Sequence, residues 1–215
     1  MWSKIVDKLS GIPYFGVSSV AQMLGIENET AGQLLSRWVN NGKVLRVKRG
    51  VYMTPEYYDR HLNDWDFSGL ISSIINPGSY LSKEYVLQKC GVMTESVMAV
   101  TAVTTKNTSK VASKMGSFLY YHIKPELFGG YGEKIVGGIS VKEASPGKAL
   151  FDYLYFRPYG WAYGDKNYDL VEDLRLNLDD FEVKDRLDFI NWITLSKSKK
   201  MSDALENIRR KIWLS

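Results

Sequence analysis

The sequence predicts an α+β protein, and three observations carry that prediction. Short amphipathic patterns follow one another within the first 55 residues, Val-, Thr- and Tyr-rich runs lie between residues 97 and 141, and helical periodicity fills the chain from about residue 145 onward. Each element is legible from its own spacing.

Trp2, Ile5, Val6 and Leu9 recur at i, i+3, i+4 and i+7, a short amphipathic helix that Ser10-Gly11-Ile12-Pro13 stops. After Gly16, Ser18 or Ser19 is placed to cap a second helix with Val20, Met23 and Leu24 turned inward. Ser19 and Gln22 match a capping box, and Gly25 supplies the stop. Asn28 is placed to cap a third helix with Ala31, Leu34, Leu35, Trp38 and Val39 on its apolar face, ended by Asn40-Asn41-Gly42. Two β-rich runs, Lys43 to Val47 and Val51 to Pro55, then flank the basic turn Lys48-Arg49-Gly50 and read as a hairpin. Helix, helix, turn, helix, hairpin is the order of a winged helix-turn-helix, and the short Gly25-Ile26-Glu27 connection fits its tight turn.

Residues 56 to about 75 read as a linking segment with helical stretches, followed by a turn at Asn76-Pro77-Gly78. Ser82 is expected to open a helix carrying Tyr85, Val86 and Cys90. Val97 to Thr105, Phe118 to Ile123 and Lys134 to Val141 read as three strands. Ser145-Pro146 gives an N-cap followed by proline at the first helical position. From about Asn167 the chain is helical, with Leu170, Val171 and Leu174, then Leu187, Ile190 and Ile193, then Leu205, Ile208 and Ile212 as apolar positions. The expected organisation is a winged helix-turn-helix over residues 1–60 and a mixed α/β domain with a helical C-terminal end over residues 61–215.

Composition narrows the function classes. With 45% apolar and 24% charged residues in 215, the chain can bury a core and is far from the make-up of a disordered one. No apolar run reaches the length of a bilayer span, and the start lacks the apolar core of a signal peptide, so a cytoplasmic location is expected. One cysteine and two histidines supply neither a disulfide nor a zinc ligand set. No cofactor or metal is expected.

The net charge of +4 lies wholly in the first 55 residues, where Lys4, Lys8, Arg37, Lys43, Arg46, Lys48 and Arg49 face Asp7, Glu27 and Glu29. A basic module on an otherwise balanced chain points to a polyanion, with DNA the leading candidate. In a helix-turn-helix the N-terminal half of the second motif helix enters the major groove, which directs Thr30, Gln33 and Arg37 at base edges or flanking phosphates. Gln suits adenine and Arg suits guanine in bidentate contact. Lys43, Arg46, Lys48 and Arg49 would neutralise phosphates and position the protein. A solvated helix face and a solvated charge run are the plain alternatives.

Apparent enzyme signals do not hold together. Gly129-Gly130-Tyr131-Gly132-Glu133-Lys134 lacks the register of a phosphate-binding loop. Glu182-Val183-Lys184 downstream of Asp169 has a carboxylate-then-lysine look without a strand pattern. His122 shares a strand face with Phe118 and Tyr120, which favours a half-buried packing role; His61 has no obvious partner, and Cys90 reads as a buried thiol. No catalytic constellation remains, and the chain is read as a non-enzyme.

Further patterns carry a family resemblance. They are Arg49-Gly50-Val51-Tyr52 closing the N-terminal module, Tyr80-Leu81-Ser82 leading to Cys90-Gly91-Val92, and Phe118 to Lys124 after a Thr-rich run. Most specific is the segment from Ser145 to Pro158, which looks like Pro-x-Lys-Ala-Leu-x-Asp-x-Leu, with Gly147 where Glu is usual. Over nearly its whole length the chain resembles the AbiEi antitoxins of type IV toxin–antitoxin systems, which act in abortive infection and phage defence.

The resemblance implies a winged helix that binds inverted repeats in its own promoter and represses the operon. It also implies a C-terminal domain that counters a nucleotidyltransferase toxin without a stable complex. Lys148, Asp152 and Arg157 are the residues it offers for antitoxin function, with Lys106, Lys110 and Lys114 as further surface cations. Lys148 and Asp152 are four apart on a helix, where an ion pair is expected. Asp64-Trp65-Asp66 has no Gly-Ser closely before it, so the chain does not resemble the toxin. The alternatives are a winged-helix regulator whose C-terminal domain senses a ligand or dimerises, and a nuclease, which would need a metal-holding carboxylate cluster around Asp169 and Glu182.

Overall fold

A computed structural model describes residues 5–95, 98–158, 165 and 167–213; Trp2 and Val97 lie outside the described residues. The fold is α+β. Among the described residues are ten α-helices and nine strands in two sheets. The chain divides into two compact units, Met1–Ile75 with Ile135–Ile139, and Asn76–Lys134 with Ser140–Ser215.

The first unit opens with α1 (Val6–Leu9), β1 (Phe15–Gly16), α2 (Val17–Leu24) and α3 (Asn28–Asn40), then the strands β2 (Leu45–Lys48) and β3 (Val51–Met53). The three strands form one antiparallel sheet in the order β1-β3-β2. Ile5, Leu9, Phe15, Val20, Ala31, Leu35, Trp38, Val44 and Tyr52 make a single core cluster, so helices and hairpin are held by the same apolar contacts.

Several local expectations shift. Helix α2 begins on Gly16 with no side-chain cap, so the Ser19 capping box does not form, and Met23 is exposed rather than inward. Ala21 takes the buried place beside Val20. Gly25 does end the helix, at φ +66, with its N–H shared between the Ala21 and Gln22 carbonyls. Asn28 is the first residue of α3 rather than its cap.

Thr54 caps α4 (Pro55–His61) by accepting from the Tyr57 N–H at 3.2 Å, and Pro55 sits at the first helical position. Helix α5 (Trp65–Ile75) buries Phe67, Leu70, Ile71 and Ile74. These two helices belong to the first compact unit, which therefore runs to Ile75, past the boundary expected at residue 60. The reason is that Phe67 and its neighbours on α5 are core residues, where a linker would be solvated. The His61 ring packs tilted against the rings of Tyr57 and Phe67, with centroids 4.6 and 5.5 Å away.

The second unit is built on a six-stranded mixed sheet in the order β6-β7-β5-β4-β9-β8. Its strands are β4 (Ser79–Leu81), β5 (Ala99–Thr104), β6 (Ser109–Ser113), β7 (Gly116–His122), β8 (Tyr131–Val136) and β9 (Ile139–Ala144). Strand β5 runs antiparallel to β4 and parallel to β7, and β4 runs parallel to β9. The single strand expected from Lys134 to Val141 is two, broken by Gly137 and Gly138 at φ +56 and +80. Paired positive φ values are what a tight hairpin turn demands, and glycine supplies them.

Helix α6 (Glu84–Lys89) starts after Lys83, so Ser82 is not its cap. Helices α7 (Pro146–Phe156), α8 (Leu170–Asp173), α9 (Val183–Ser196) and α10 (Lys199–Ile208) follow, and a wider helical turn spans Arg209–Trp213. Ser145 caps α7 as expected, accepting from the Lys148 N–H at 3.0 Å. Leu187 on α9 is exposed, and Phe189 and Ile193 fill its buried face.

Asn207, with no exposed surface, ties α10 to α8: its side chain accepts from the Leu170 N–H at 3.0 Å and donates to the Tyr168 carbonyl at 3.0 Å. Among the described residues no helix is long and apolar enough to cross a membrane.

Candidate functional site

In the first unit, α3 presents Thr30, Gln33 and Arg37 to solvent at i, i+3 and i+7, one face of the helix. The opposite face buries Ala31, Leu35 and Trp38. Lys43 is exposed in the turn that follows, where its N–H donates to the Trp38 carbonyl at 2.8 Å. On the hairpin, Arg46 is exposed opposite Tyr52, and Arg49 is exposed in the turn beside Gly50, whose φ is +76.

A bulge separates Arg46 from Lys48 in the pairing with β3, and Val47 between them is buried. Lys48 departs from the expected role. It is half-buried, and its ammonium donates to the Ile75 carbonyl at 3.4 Å, at the C-terminal end of α5. A cation there satisfies a helix-end carbonyl and complements the dipole. Six of the seven cations and polar residues expected on the surface are thus exposed, and Lys48 is engaged within the unit.

In the second unit, Lys148 and Asp152 have no exposed side-chain surface. The expected i, i+4 ion pair forms at 2.7 Å, but it is internal, so Lys148 lines no surface. The Lys148 ammonium also donates to the Leu127 carbonyl at 2.9 Å and lies 4.3 Å from the Trp192 ring centroid. The second Asp152 oxygen accepts from the Tyr80 hydroxyl at 3.0 Å and the Ser82 hydroxyl at 2.7 Å. Burial pushes the Asp152 carboxyl up and the Lys148 ammonium down, each opposed by attraction to the other. The Tyr80 phenol is pushed up by burial and by the Asp152 charge.

Two glycines make room for this arrangement. A Cβ on Gly130 would meet the Trp192 ring and Lys148 Cγ at under 3 Å. A Cβ on Gly147 would collide with the Asp185 carbonyl and crowd Asp188 and the Phe189 N–H. Glycine at position 147 therefore admits α9 against the start of α7. Asp188 on α9 accepts from the Ser145 hydroxyl and, at 3.0 Å, from the Trp192 indole, joining the two helices.

Sequence reasoning missed Lys83 and Lys200. Lys83 is 3% exposed with φ +59 and ψ −138, a backbone conformation that strains any residue but glycine. Its ammonium lies 3.6 Å from the Tyr121 ring centroid and 3.8 Å from Glu84. Burial chiefly pushes it down, with Glu84 and Asp152 opposing and Arg157 adding to the shift.

Lys200 donates to the Tyr155 and Arg157 carbonyls at 2.6 and 2.8 Å, closing the end of α7. Half-buried Arg157 donates to the Tyr153 hydroxyl at 2.8 Å. No sequence pattern announces either lysine, since one rests on a turn conformation and the other on a distant helix end.

Arg157 lines a groove of about 310 Å³ with Tyr153, Met93, Leu174, Arg175, Glu95 and Asp173. A second groove, of about 370 Å³, holds Cys90 among Asp180, Glu182 and Asp185. Cys90 is exposed, not buried as expected. His122 is exposed as well, at the end of β7, with Nδ1 at 3.1 Å from the Lys106 carbonyl. Lys106, Lys110 and Lys114 are exposed around β6.

Asp169 caps α8 and lies 3.6 Å from Lys211, while Glu182 pairs with Lys184 at 2.8 Å. Among the described residues no group of three or more His, Cys, Asp or Glu side chains is placed to hold a metal ion. Compared with protein-family models and with curated protein sequences, the chain finds no match.

Proposed function

We propose that this chain is the antitoxin of a type IV toxin–antitoxin system and the DNA-binding repressor of its own operon. Residues 1–60 act as the winged helix-turn-helix, and the C-terminal domain counters a nucleotidyltransferase toxin without forming a stable complex with it. The observation that carries the DNA-binding half is the exposure of Thr30, Gln33 and Arg37 on one face of α3, together with exposed Lys43, Arg46 and Arg49, on elements that share one core. The element order α1, β1, α2, α3, β2, β3 and the β1-β3-β2 sheet support the same reading. The antitoxin half rests on the segment from Ser145 to Pro158 and its resemblance to the family motif.

Fluorescence anisotropy with the promoter duplex, titrated with salt, tests the first half. Contact with roughly four phosphates gives log K against log salt a slope near −4. Salt-independent binding, or none to any duplex, removes the proposal. Co-expression of the adjacent toxin gene with the full chain tests the second half, and the expected result is rescue of growth.

A second reading, a winged-helix regulator whose C-terminal domain senses a ligand, draws support from the groove at Arg157. Repression that responds to a small molecule, in a chain that rescues no toxin, would favour it.

A further inference from the structure

The end of α7 gathers cations that its carboxylates do not all meet. Lys83 has Glu84 at 3.8 Å, and Arg175 has Glu95 at 2.8 Å. Asp173 accepts from the Tyr168 hydroxyl at 2.6 Å. Among the described residues neither Arg157 nor Lys200 meets a carboxylate: Arg157 donates to a phenol and Lys200 to two backbone carbonyls. Arg157 and Arg175 both line the groove of about 310 Å³.

We propose that this groove binds a nucleoside monophosphate unit, with Arg157 and Arg175 holding the phosphate. Guanidinium forks match phosphate oxygens in bidentate geometry, and the Tyr153 hydroxyl already fixes the orientation of Arg157. Glu95 and Asp173 line the same groove and supply acceptors for ribose hydroxyls, the role a carboxylate takes beside a bound nucleotide ribose. The open surface of the groove is mainly polar, which fits a phosphate and a ribose more than a base.

The volume lies at the small end of ligand pockets, about 300–1,000 Å³, which suits one nucleotide. This site goes beyond the repressor reading and does not rest on it, because its test measures ligand binding with no DNA or toxin present.

Isothermal titration of the full chain with AMP, adenosine, inorganic phosphate and a 5′-phosphorylated tetraribonucleotide tests the site. AMP is expected to bind at least tenfold more tightly than adenosine and than phosphate. Arg157→Lys and the more exposed Arg175→Gln are each expected to weaken AMP tenfold or more, with unchanged thermal unfolding; Lys110→Ala, on β6, leaves binding unchanged. Tighter binding of the tetranucleotide than of AMP assigns the phosphate to a strand end, and the reverse assigns it to a free nucleotide. Equal binding of AMP and adenosine, equal binding of AMP and phosphate (an adventitious ion only), no binding of any probe, or AMP affinity untouched by Arg175→Gln overturns the proposal.

Discussion

The Lys148 ammonium sits 2.7 Å from the Asp152 carboxylate with neither side chain exposed, and hydroxyls of Tyr80 and Ser82 complete the acid's coordination. Burial works against the charged form of both partners, so the pair is held by its hydrogen bonds and by mutual attraction against desolvation.

Removing one member strands the other. Asp152→Leu or Lys148→Met alone is expected to cost about 3–5 kcal/mol of unfolding free energy. The double variant is expected to recover most of that loss. Urea unfolding of the three variants checks the cycle; a double variant as unstable as the two single losses summed would contradict it.

At Gly147 the start of α7 packs against α9, and an added methyl group there meets the Asp185 carbonyl, the Asp188 Cβ and the Phe189 N–H. Gly147→Ala is expected to destabilise by about 1–3 kcal/mol as an overpacked contact. Gly132→Ala, on β8 with nothing within 4 Å of the added carbon, is the control and should change little. Thermal unfolding of the two variants separates a packing requirement from a general intolerance of substitution.

Lys83 combines a positive φ with an ammonium over the Tyr121 ring. Lys83→Ala and Lys83→Gly both remove the ammonium, and only glycine relieves the backbone. The glycine variant is expected to be more stable than the alanine variant by about 1 kcal/mol, measured by denaturant midpoint. Equal stabilities would mean the turn relaxes on its own.

Asn207 serves Leu170 and Tyr168 at once from a fully buried position. Asn207→Ala leaves a buried N–H and a carbonyl without partners, and a loss of about 1–3 kcal/mol is expected. Amide exchange at Leu170 should accelerate in that variant ahead of the β5 amides.

The hairpin cations are expected to divide. Arg46→Ala and Arg49→Ala should each weaken duplex binding uniformly across sequences and reduce the magnitude of the salt slope by about 1. Lys48→Ala should leave that slope unchanged, because its ammonium is spent on the Ile75 carbonyl. A slope that falls for Lys48→Ala as it does for Arg46→Ala would place Lys48 among the phosphate contacts after all.

Much of this was legible in the residues alone, wherever short-range chemistry decides conformation. Gly25 as a left-handed helix end, Ser145-Pro146 as a helix start, and the buried stripe of Ala31, Leu35 and Trp38 follow from steric and periodic rules acting within a few residues. The α+β class and the exposure of Arg37, Arg46 and Arg49 followed from the same patterns.

What the patterns left open was settled by partners far along the chain. Spacing gave the Lys148–Asp152 pair, and only the positions of Tyr80, Ser82, Leu127 and Trp192 made it an internal one. No spacing placed the Asp185 carbonyl beside Gly147, and Lys48 read as a surface cation until Ile75 lay beside it. β6 was invisible because Ser109 to Ser113 is an exposed edge, whose pairing with β7 leaves no apolar alternation to see. Local propensity is a property of neighbours in sequence, whereas burial and charge environment are set by neighbours in space, which the folded chain alone brings together.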